Sequence, residues 1–171
     1  MSALRRVLRR IEHDSDLDRV AGPLAELLPA VFRRHPVADV LRGSWLGHPA
    51  HPAVVLAPAG IWIASAVLDC LPGQGTAARR LIGVGLLTVP AAVATGLAEY
   101  TTLNTSQRRT AVVHVSANTL AACCYLLSHR LRGRDRQWAG RLLGMVGLAA
   151  VGLGGLLGGH LSYVQGAGVR G

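Results

Sequence analysis

Residues 52–71, PAVVLAPAGIWIASAVLDCL, hold a single charged residue, Asp69, in a run close to the roughly 20 residues that a helix needs to cross hydrocarbon. Working outward, three further runs behave alike: 81–98 LIGVGLLTVPAAVATGLA, 110–129 TAVVHVSANTLAACCYLLSH and 142–169 LLGMVGLAAVGLGGLLGGHLSYVQGAGV, each bounded by arginine or glutamate. A soluble helix rarely stays uncharged for so long. With 50% hydrophobic and only 4% aromatic residues, the chain reads as all-α, an integral membrane up-down four-helix bundle with an N-terminal amphipathic, interfacial helical arm. The connections 72–80, 100–109 and 130–140 are short, which makes consecutive helices antiparallel neighbours and puts both termini on one side.

Two units are expected, a basic amphipathic arm over 1–47 and a transmembrane domain over 48–171. In the arm, Leu4, Val7, Leu8 and Ile11 oppose Arg5, Arg6, Arg9 and Arg10, and Leu17, Val20, Leu24, Leu27, Leu28 and Val31 form a second stripe. Apolar stripes beside basic faces suit a membrane surface with anionic headgroups, and Arg33 and Arg34 extend the attraction. The net charge of +9 also raises nucleic acid as a partner. The arginines flank spans and lack aromatic interleaving, so that reading is set aside.

Charges interrupt every apolar stretch of the first 30 residues, so no signal-peptide core is read there and the tail is expected to be retained. Arginines near the spans are nearly balanced between the two faces. Arg5, Arg6, Arg9, Arg10 and Arg19 in the tail tip the expectation to cytoplasmic termini in a multi-pass protein of the inner (plasma) membrane. Gly154 with Gly158, and Gly155 with Gly159, have small-xxx-small spacing, which predicts tight helix packing or a groove for a flat ligand. A homo-oligomer is left open. Cys70, Cys123 and Cys124 show no CxxC spacing and read as apolar filler. No P-loop, GxGxxG, GxSxG or HExxH occurs, and no nucleophile with an arranged base suggests a hydrolase.

Chemistry, if present, rests with histidines. In Gly47-His48-Pro49-Ala50-His51-Pro52 each proline pushes the preceding histidine out of helical backbone, and Pro52 can start the first span. His114 lies about 7 Å along a helix from Arg109, beneath the headgroups, where ionisable residues are functional candidates. Asn118, Tyr125 and His129 continue its face. His160 ends the fourth span and Glu99 the second, beside Tyr100. Thus His51, Glu99, His114 and His160, one per span, are expected at similar depth on the terminal side, with His48 just above. Each taken alone has a bland use as a capping, packing or snorkelling group. Asp69 is expected to pair with Arg79 or Arg80, His129 to be structural, and His13 and His35 to be solvated.

Two kinds of site fit that cluster. His51, His114 and His160, with Asn118, supply candidates for gripping a b-type haem axially. His48, His51, Glu99, His114 and His160 instead offer ligands for a single transition-metal ion, zinc, iron or copper. Electron transfer, metal sensing or passage, and an inert anchor or scaffold are the three functions carried forward.

The run Trp45-Leu46-Gly47-His48-Pro49-Ala50-His51-Pro52, then Pro58-Ala59-Gly60 and Leu68-Asp69, resembles the start of an uncharacterised bacterial membrane-protein family, the domain of unknown function 2231. Thr95-Gly96-Leu97-Ala98-Glu99, His114 with Asn118, and Gly158-Gly159-His160-Leu161-Ser162-Tyr163 follow in the family's order, so the resemblance covers roughly residues 15 to 170. The family's Asp-Trp pair after the second span is Glu99-Tyr100 here. No settled activity comes with the resemblance. Some relatives carry a Rieske iron-sulfur domain after the last span, which implies electron-transfer company. As this sequence ends at Gly171, a redox partner is expected to be a separate protein.

Overall fold

The computed structural model describes residues 3–28, 30–33 and 36–168. Arg34 and His35, named above for charge and solvation, lie outside them. Four helices are long and apolar enough to cross a membrane: Ala50–Asp69, Gly75–Tyr100, Thr105–Arg132 and Gln137–Val164. They run up and down, with sequential spans packed together and the first span also meeting the fourth. The first and third spans are therefore parallel and sit on a diagonal.

Local chemistry explains where each span begins and bends. Pro58 has no N–H to offer the Val54 carbonyl, and the first span accordingly divides into Ala50–Val54 and Leu56–Asp69. Asn104 opens the third span by a capping box: Asn104 Oδ1 accepts from the Gln107 amide, and Gln107 Oε1 accepts from the Asn104 amide, both at 3.0 Å. The last turn of the fourth span widens into a π turn over His160–Val164.

The third and fourth spans interlock in constant antiparallel register. A Cβ added at Gly140 would meet Arg132, at Gly144 Arg132 and Ser128, at Gly147 Tyr125, at Gly154 Asn118 and at Gly158 His114. Each large or polar side chain on one face of the third span is thus received by a glycine of the fourth. Of the two small-xxx-small pairs, Gly154 and Gly158 make this contact. Gly155 faces open space, and Gly159 meets only Tyr163 of its own helix.

Before the spans come α1 (Ala3–His13), α2 (Asp18–Leu27) and α3 (Val37–Arg42). The second amphipathic stretch is not one helix: it stops at Leu27, and Leu28 turns extended before a short turn over Ala30–Phe32. These elements lie across the terminal end of the bundle. Ala21 and Leu28 join Tyr100, Leu103, Ala111, Val112 and Leu161 in a small core. Arg109 clasps Asp18 with two bonds of 2.8 and 2.6 Å and donates to the Glu12 carbonyl at 3.1 Å. Arg42 donates to the Ala98 and Phe32 carbonyls and to Thr101 Oγ1. Leu8 and Ile11 of the first stripe turn inward, whereas Leu4 and Val7 stay exposed. Gly43, at φ +82°, ends α3, and a Cβ there would strike the His48 carbonyl; glycine alone lets the chain turn this tightly into the His-Pro run.

Aromatic rings mark both boundaries of the apolar slab. Trp45 and Tyr163 are exposed at the terminal end and Trp138 at the other, as amphipathic rings at lipid interfaces are. Tyr100 does not share this role. It is buried, and its hydroxyl donates to the Ala21 carbonyl at 2.8 Å.

Candidate site on the diagonal of the bundle

His51 and His114 face one another across the bundle from the first and third spans. Their ring centres are 6.1 Å apart and their planes nearly perpendicular, at 79°. His51 Nδ1 lies 3.0 Å from the Ala92 carbonyl and 3.2 Å from Thr95 Oγ1, both on the second span. His114 Nδ1 lies 2.8 Å from the Gly154 carbonyl of the fourth. A carbonyl can only accept, so each Nδ1 carries the proton, and in the neutral ring each Nε2 keeps its lone pair. Asn118 donates to the His114 carbonyl at 2.9 Å, and its amide nitrogen lies 3.2 Å from His114 Nε2.

Two more pairs continue down the same diagonal. Trp62 stacks on Tyr125 with ring centres 4.2 Å apart and planes 17° from parallel. Asp69 receives Arg132 in a two-pronged ion pair, both bonds 2.6 Å, with Arg141 3.6 Å away. Steps of eleven and then seven residues separate 51, 62 and 69, and the same steps separate 114, 125 and 132. These are close to three and two helical turns, so on parallel helices all three pairs fall on facing stripes. Arg132 is fully buried and also donates to Ser128 Oγ at 3.1 Å, while Ser128 donates to the Gly140 carbonyl. Asp69 therefore pairs with Arg132 and Arg141 instead of Arg79 or Arg80. Arg79 spends its Nε on the His129 carbonyl.

The other anticipated site residues are held elsewhere. His160 Nε2 contacts the Glu12 carboxylate of α1 at 2.5 Å. The arm supplies a carboxylate partner that the sequence did not reveal. His48 is exposed, with Nδ1 3.2 Å from the neighbouring Pro49 carbonyl. Glu99 borders Gly168 beside Pro49, where the C-terminal tail crosses the start of the first span. Among the described residues no group of three or more histidine, cysteine, aspartate or glutamate side chains could hold a metal ion together. The assembled unit is two imidazoles with Asn118 beside them.

This diagonal lies within residues 47–171, which match the family described as predicted membrane protein (DUF2231). The chain belongs to that family. The match begins at Gly47, directly before the His-Pro run, and includes every residue of the three diagonal pairs. No curated protein and no solved structure matches this DUF2231 chain.

Sequence reasoning missed Trp62, Arg132, Glu12 and Asp18. For Trp62 and Arg132 a signal existed, because sliding the first apolar run onto the third aligns His51, Trp62 and Asp69 with His114, Tyr125 and Arg132. For Glu12 and Asp18 nothing local pointed to partners 148 and 91 residues away.

Proposed function

We propose that this DUF2231 protein is a small electron-transfer subunit of the inner membrane, with both termini cytoplasmic, in which His51 and His114 would hold one b-type haem. The observation that supports it is the diagonal pair at 6.1 Å. Metal–nitrogen bonds of about 2 Å, with about 1 Å more from nitrogen to ring centre, put two imidazoles on one metal roughly 6 Å apart. Each Nδ1 already donates to a backbone carbonyl, the outer bond that orients a ligating histidine and raises its basicity. When bound, haem iron supplies one-electron redox chemistry at a potential tuned by its axial ligands and burial.

The chain's own residues then have separate tasks. Thr95 and the Ala92 carbonyl hold His51, the Gly154 carbonyl holds His114, and Asn118 stands beside the His114 Nε2. The terminal face is where a redox partner would dock. A bare iron, copper or zinc ion, which the same two histidines would hold, is the second reading. It is favoured by close packing at the rings: a Cβ on Gly96 would lie 2.9 Å from His51, and one on Gly158 3.1 Å from His114.

The test is the visible spectrum and elemental analysis of the detergent-purified full chain. A dithionite-induced Soret and alpha-band change, lost in His51→Ala and His114→Ala but kept in His160→Ala, supports haem. Stoichiometric metal without those bands, lost in the same two variants, selects the bare ion. Neither signal leaves the histidines as packing groups in a membrane anchor and ends the redox reading.

A further inference from the structure

A cavity of about 230 Å³ opens between α2 and the turn joining the second and third spans, lined by Gly22, Ala25, Glu26, Arg33, Thr101 and Arg108. Arg108 Nε is buried and has no hydrogen-bond partner among the described residues. The Nε is shielded from the cavity, but the Arg108 side chain lines it, and a guanidinium left short of acceptors there is one that an anionic ligand would help satisfy. Arg33 also lines the cavity, steadied by its Nη2 bond of 2.7 Å to the Leu28 carbonyl. Thr101 lines it too, its hydroxyl accepting from Arg42 Nη2 at 2.8 Å, so a third guanidinium lies behind the cavity wall. Arg42 is itself balanced by Asp39 at 3.5 Å.

We propose that this cavity binds one phosphate group, held by Arg108 and Arg33. The charges on its walls support a monoanion: two guanidinium cations against the single carboxylate of Glu26 leave one net positive charge, matching a phosphodiester. Guanidinium groups bind phosphate oxygens through short charge-assisted bonds in a fixed fork. The depth is that of lipid headgroups, since Thr101 directly follows the second span and Arg108 falls in the first turn of the third. Basic pockets at this level between membrane helices recognise headgroup phosphates. The site stands on the arm and the span ends, apart from the histidine pair.

Native mass spectrometry of the full chain in detergent, titrated with phosphatidylglycerol, tests the proposal, with thermal unfolding in added inorganic phosphate as a parallel arm. One phosphatidylglycerol retained per chain is expected, weakened about tenfold in Arg108→Lys, which keeps the charge but loses the fork. Arg130→Lys, exposed at the opposite face, should bind as the parent does. Gly22→Leu keeps the arginines and fills the cavity. A Cβ there meets nothing within 4 Å, leucine favours the helix, and this variant decides the matter if Arg108→Lys fails to fold. A melting temperature raised by inorganic phosphate only while Arg108 and Gly22 are intact, with lipid retention indifferent to them, assigns the site to soluble phosphate. Lipid retention and phosphate response both indifferent to the two substitutions would overturn the proposal.

Discussion

Asp69 and Arg132 close the far end of the diagonal that His51 and His114 open, and their ion pair is buried, the Arg132 side chain being wholly shielded. A guanidinium that loses its carboxylate partner in such a place becomes an uncompensated charge. Asp69→Asn or Arg132→Met alone should therefore destabilise the bundle by about 3–5 kcal/mol, and Asp69→Leu with Arg132→Met together by much less, because the paired charges also carry a desolvation cost. Thermal unfolding of the two singles and the double in one detergent measures the coupling. Strictly additive losses would show that the pair does not act as a unit.

The glycines of the fourth span separate into two classes by what faces them. Gly154→Ala would push a methyl group to 2.6 Å from Asn118 Oδ1, whereas Gly155→Ala enters open space. The first should cost about 1–3 kcal/mol through overpacking and the second should stay within about 0.5 kcal/mol of the parent. Melting temperatures of the two variants check this, and equal effects would mean that the spans are not registered as described.

Tyr125 is buried against Trp62, yet its hydroxyl has no hydrogen-bond partner among the described residues. Removing that oxygen removes a desolvation cost and leaves the stacked ring in place. Tyr125→Phe is expected to be neutral or stabilising by about 1 kcal/mol. Tyr125→Ala should lose about 3–5 kcal/mol. A destabilised Tyr125→Phe in a chemical-denaturation series would place an unseen acceptor at the hydroxyl.

The arm's docking should fail in acid. The side-chain bonds from Arg109 hold the Asp18 carboxyl below its ordinary value, the opposing effect of desolvation being smaller. Asp14 adds to the negative charge facing Arg109. A depressed carboxylate contributes stability above its unfolded value, about 4, and loses it as pH falls through the lower folded value. Limited proteolysis at the arm's arginines should accelerate below about pH 4 in the parent, and Asp18→Asn should be cleaved readily at neutral pH without that acid step. Cleavage that is equally slow in both proteins at every pH would show that this clasp does not hold the arm.

The fold was legible because a helix that crosses hydrocarbon must satisfy its own backbone and stay uncharged for its whole length. Runs such as 52–71 and 81–98 announce that by composition alone. His114 with Asn118 was legible for a related reason: polarity inside an apolar run stands out against its surroundings. His160 was misleading, since its depth matched the cluster while the carboxylate that holds it arrived from α1. Asp69 was misassigned on proximity in sequence, when the diagonal register brings it to Arg132.

Composition and spacing thus determined the four spans, their alternation, and the polar stripe of the third, all properties that one helix carries within its own residues. Tertiary structure decided which stripes meet. Whether His51 finds His114, or Glu12 finds His160, depends on helix rotation and register, set by glycines such as Gly147, Gly154 and Gly158 receiving side chains of another helix. Such contacts belong to pairs of elements far apart in the chain, so neither element's sequence holds them alone.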